Sequence, residues 1–170
     1  MDLINTNFTS TSDSHESLWR FALALYARQG IAETCLQLQD ERKVNVCLLI
    51  GLHWLDIRGC VLSTADLTDL TEHTHKWAQE IIEQLRALRR TLKKSFDNFP
   101  SDELQEQVRG LIKQAELLAE KKLLVEIARW STTISVSEGS VSNSNIERYL
   151  TSLGIDEIFI ESVIQKLTKQ

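Results

Sequence analysis

The run Val44–Ile57, VNVCLLIGLHWLDI, constrains the fold more than any other stretch of this chain. A helix through it is apolar on nearly every side, so neighbours must enclose it rather than leave it on a surface. It is too short and too interrupted to cross a bilayer, which takes roughly 20 apolar residues. Its polar members are Asn45, His53 and Asp56. Gly51 in mid-helix, about 1 kcal/mol poorer than alanine there, predicts a close backbone approach. The rest of the chain has to supply the helices that surround this one.

It has the means to do so. The chain has 170 residues, 42% of them hydrophobic, with one proline and six glycines. That length suits one domain burying about two-thirds of the surface its unfolded form exposes. No alternating strand pattern persists, and Gly30, Gly59 and Gly154 stand where helices should stop. The expected fold class is all-α, a single-domain bundle of six or seven helices around a buried central helix. A flexible N-terminus (1–13), a helical core (14–130), a serine-rich linker (131–144) and a C-terminal helical hairpin (145–170) divide the sequence.

Within the core, Asp13 and Glu16 have capping-box spacing for a first helix ending before Gly30. A shorter helix over 31–42 leads almost directly into the central one. Ser63 or Thr64 starts a short segment through Leu70. Trp77, Ile81, Leu85, Leu88, Leu92, Phe96 and Phe99 then mark one stripe of a helix over 72–97, expected to face inward. After Pro100, a long helix to Arg129 or Trp130 turns Leu104, Val108, Leu111, Ala115 and Leu118 to the core first, its stripe then drifting to Leu117, Leu124, Ile127 and Ala128, and forms an antiparallel hairpin with its predecessor. Ser144 with Glu147, and Asp156, are caps for two terminal helices.

Charge is uneven. The net charge of −5 disfavours wholesale attraction to nucleic acid or anionic membrane. Between Lys76 and Lys94, however, six basic residues face two acidic ones. Arg86, Arg89, Arg90, Lys93 and Lys94 fall within an arc of about 140°, nearly opposite the apolar stripe. They are expected on a solvent face suited to an acidic protein partner.

No metal or cofactor set assembles from the sequence. The three cysteines and four histidines contain no Cys-x-x-Cys and no His-x-x-x-His. His73 and His75, two apart, diverge on a helix. Glu72 and His75 have the spacing of a carboxylate-bridged site, but no second copy exists. There is no phosphate-binding glycine loop. His53 and Asp56 are neighbours three apart, either an acid/base or ligand-binding pair or polar groups satisfied by adjacent helices. Asn45 lies roughly 16 Å from Asp56 along the axis and cannot share one ligand with it unaided.

An ordered series of short motifs gives a family resemblance. Ser17-Leu18-Trp19-Arg20-Phe21-Ala22, Tyr26, Cys35-Leu36, Leu38-Gln39-Asp40, Val44-Asn45, Leu48-Leu49, Trp54-Leu55, Trp77 and Leu85-Arg86-Ala87-Leu88-Arg89-Arg90 resemble an uncharacterised family of short bacterial (proteobacterial) proteins, a domain of unknown function. Two departures are visible: family members have a glycine before the Val-Asn pair, where this chain has Glu41-Arg42-Lys43, and a proline where it has Gln84. The resemblance implies an all-helical bacterial protein and assigns no catalytic residue.

The functional expectation is a non-enzymatic adaptor or regulatory module that binds a partner through Arg86, Arg89, Arg90, Lys93 and Lys94. The alternative is a ligand-binding or enzymatic bundle using Asn45, His53 and Asp56. The polar start, Met1–Ser14, lacks the basic and apolar segments of a signal peptide, so a cytoplasmic location with reduced cysteines is expected.

Overall fold

The structure, a computed structural model, describes residues 10–96, 99–134 and 143–169, with side chains from Ser17 onward. Residues 1–9 of the expected flexible N-terminus and 135–142 of the expected linker lie outside the described residues. The elements in order are α1 (Ser10–Tyr26), α2 (Ile31–Arg42), α3 (Val46–Ile57), α4 (Thr64–Trp77), a π-helical turn (Ala78–Ile82), α5 (Glu83–Thr91), α6 (Glu103–Trp130), α7 (Asn145–Ser152) and α8 (Glu157–Thr168). Since α4, the π turn and α5 are continuous, the described residues form seven helical rods. The protein is all-α.

Local chemistry sets most of the boundaries. Asn45 caps α3, its side chain accepting from the Leu48 N–H at 3.1 Å. Ser63 and Asp66 form a reciprocal capping box on α4. Asp102, Ser144 and Asp156 cap α6, α7 and α8 through the N–H groups of Gln105, Glu147 and Phe159. α1 begins at Ser10, so Asp13 lies inside it instead of capping it. Lys43, in the loop between α2 and α3, adopts the left-handed conformation that favours glycine (φ 57°).

The centre is α3. Every residue from Val46 to Leu55 is buried, and the helix is enclosed by α1, α2, α6 and α7. The close approach predicted at Gly51 is to α6: a Cβ there would lie 2.7 Å from Ile127 Cγ2. The C-terminal hairpin α7–α8 docks on this body through α3 and α2.

The long hairpin departs from expectation in phase. The separate helices over 63–70 and 72–97 are one rod that starts at Thr64 and ends at Thr91. Its buried positions Leu70, Thr74, Ala78, Ile82 and Arg86 recur in steps of four. In a regular α-helix each such step drifts about 40°, and the wider π turn takes up most of the accumulated error. The inward face is therefore not the predicted stripe. Trp77, Ile81, Leu88, Phe96 and Phe99 are each more than a third exposed. On α6, Leu104, Val108, Leu111 and Leu118 are also exposed, and the buried face is Glu116, Ala119, Leu123, Leu124, Ile127 and Ala128. The first half of α6 thus leaves its apolar stripe uncovered.

Candidate functional site

The three polar residues of the central run serve one structural end. The backbone N–H of Asn45 donates to Tyr149 Oη on α7 at 3.2 Å. His53 Nε2 lies 3.2 Å from the Leu167 carbonyl at the end of α8, its ring packed beside Phe21. Asp56 accepts from the first N–H groups of α7, Asn145 at 2.8 Å and Ile146 at 3.2 Å. Burial pushes the His53 ring toward its neutral form and raises the Asp56 carboxyl, the latter against the pull of the two N–H donors. Each residue fastens the C-terminal hairpin at a separate point. The structure does not bring them together.

The basic residues divide. Contrary to the expected solvent face, Arg86 is buried (7% exposed) and Arg89 is half-buried. Arg86 donates through Nε to Glu116 (3.0 Å), through Nη1 to Glu83 (2.7 Å) and through Nη2 to Glu120 (2.8 Å). Arg89 holds Glu116 from the other side, through Nε and Nη2. Arg90 reaches Asp40 on α2 at 2.5 Å, both side chains being exposed. Lys93 and Lys94 stay on the surface.

Three carboxylates and two guanidiniums thus form one partly desolvated cluster between α5 and α6. Its two inner carboxylates differ. Burial opposes ionisation of Glu116, but Arg89 and Arg86 outweigh it and hold the carboxyl below the usual range. Burial of Glu120 wins over its single bond to Arg86, and that carboxyl is raised. Carboxyls whose surroundings push their pKa values apart cluster at functional sites in proteins.

Beside the cluster lies a cleft of about 600 Å³ between α1, α2, α3 and α6. Trp19, Leu23, Tyr26, Leu36 and Leu117 form its walls and mouth, and Cys35, Cys47, Arg86, Glu116 and Glu120 its floor. Tyr26 and Cys35 line the cleft together, and burial lifts the Cys35 thiol to about 11. All three cysteines are free and buried. Sequence reading missed Glu116 and Glu120. The available signal was two acids four apart on α6, matching arginines three apart on α5. The stretches SLWRFA, Tyr26, CL, LQD and LRALRR, far apart in sequence, all contribute to this cleft.

Among the described residues no three His, Cys, Asp or Glu side chains are grouped to hold a metal ion, and no helix is long and apolar enough to cross a membrane. Residues 17–127 match the family described as "Protein of unknown function (DUF2390)". No curated protein and no solved structure matches the chain.

Proposed function

Since the chain belongs to that family of unknown function, we propose its role from its surfaces: a non-enzymatic interaction module whose α5–α6 hairpin takes an amphipathic, acidic protein partner. The observation that carries this reading is the uncovered stripe on α6. Leu104, Val108, Leu111 and Leu118 recur at steps of 4, 3 and 7, the spacing of a helix seam, and Leu104 and Leu111 are 67% and 65% exposed. Leu88, Phe96 and Phe99 add exposed apolar surface from the α5 end of the hairpin.

Burying each of these side chains is worth roughly 1–2 kcal/mol. Four of them only begin to offset the several kcal/mol that association costs, so a partner needs polar contacts as well. Lys93 and Lys94 supply positive charge at the end of α5, next to Arg90, which is paired with Asp40. Arg86 and Arg89, held by Glu116, are not available for it. A cytoplasmic setting agrees with this role.

The test uses tagged protein in its native host. Lys93→Glu/Lys94→Glu and Leu104→Asp/Leu111→Asp alter exposed positions and should leave the melting temperature within a few degrees. Each is expected to lose, at least fivefold, the protein that co-purifies with the wild type and cross-links to a photoreactive residue at 108. Unchanged recovery in both variants would sink the reading.

A further inference from the structure

Independently of the hairpin surface, we infer that the cleft between α1, α2 and α6 binds a small organic cation, an amine on an apolar body, whose nitrogen pairs with the outer oxygen of Glu120. The cleft's volume of about 600 Å³ falls within the range of small-molecule sites, and its pattern fits one: mostly apolar walls with few polar groups converging at the floor.

Hydrogen-bond bookkeeping selects the head group. Arg86 spends all three nitrogens on carboxylates. Glu116 uses both oxygens on the two arginines. Glu120 differs: Oε1 accepts from Arg86, while Oε2 has no protein donor among the described residues. Glu120 lines the cleft together with Tyr26 and Cys47. An ammonium there would complete the pairing of three carboxylates with three cations, in a cleft also lined by Tyr26, whose ring favours a cation.

Of the cations near this space, Arg86 is fully engaged, Arg89 is tied to Glu116, Lys113 is an exposed side chain at the mouth, and Lys121 Nζ lies 5.4 Å from the centre of the Trp19 ring. Burial raises the Glu120 carboxyl despite its bond to Arg86, and a cation bound beside it would favour the charged form.

The experiment compares three probes with one body and different heads, 2-naphthylmethylamine, 2-naphthalenemethanol and 2-naphthoate, titrated by calorimetry against the full chain. The amine should bind at least tenfold more tightly than the alcohol, and the acid most weakly. Glu120→Gln should erase the preference for the amine while leaving the alcohol unchanged. Leu117→Trp, at the exposed mouth, should weaken all three. Equal binding of the heads, tighter binding of the acid, no binding of the amine, or a preference that survives Glu120→Gln would each overturn the inference. The wild-type comparison stands even if the Gln variant fails to fold.

Discussion

At the scale of single residues, this protein turns on places where one atom decides the packing. Gly51 is the sharpest case. Alanine is the better helix former by about 1 kcal/mol, yet its methyl would lie 2.7 Å from Ile127 Cγ2, which belongs to a fully buried, β-branched side chain. That methyl cannot swing aside as the tip of a long side chain could. Gly51→Ala is therefore expected to destabilise by about 1–3 kcal/mol, the usual cost of overpacking, read by chemical denaturation. A stabilised variant would mean that α3 and α6 can separate without loss.

At the scale of elements, the C-terminal hairpin is held by polar groups on a helix that is otherwise apolar. Asp56 receives two N–H groups from the first turn of α7, where the helix dipole also favours a carboxylate. Arg28 and His53 meet the carbonyls at the end of α8, Arg28 on Leu167 at 2.9 Å and on Lys166 at 3.2 Å. Asp56→Ala strands two donors and should cost about 1–3 kcal/mol. Hydrogen exchange should show the α7 amides opening faster while those of α6 are little changed. Equal acceleration throughout the chain would show that the hairpin does not respond as a separate unit.

At the scale of the molecule, the ionic cluster links α5 to α6 and its carboxyls carry opposite signs in pH dependence. Glu116 is held below its ordinary value of 4.5, so its contribution is present above that pH and is lost as pH falls below it. Glu120 and Asp56 are raised, so protonation favours their folded forms and offsets part of that loss at higher pH. His53, lowered from 6.5, takes up its proton more readily unfolded and removes stability as pH drops below that value. Glu116→Gln should cost about 2–3 kcal/mol at neutral pH. Below about pH 4.5 the gap to the wild type should narrow as the wild-type carboxyl is protonated, measured by thermal melts between pH 6 and 3. A gap that stays constant would remove Glu116 from this role.

Much of this fold is written locally. The all-α class, the buried central helix, the close approach at Gly51 and the caps at Ser63, Ser144 and Asp156 rest on signals within a few residues of each other, and these survive in the structure. The faces of the long hairpin were not legible in the same way. An arginine reads as a surface residue until a countercharge arrives from elsewhere, and Glu116 and Glu120 stand 30 and 34 positions from Arg86. A periodic apolar stripe assumes 3.6 residues per turn throughout, and the π turn at Ala78–Ile82 breaks that assumption before α5 begins. Nor could spacing along one helix show that Trp19, Tyr26, Cys35, Arg86 and Glu120 line the same cleft. Helix formation in this chain is a property of neighbouring residues; which side of each helix faces inward was decided only by the helices it meets.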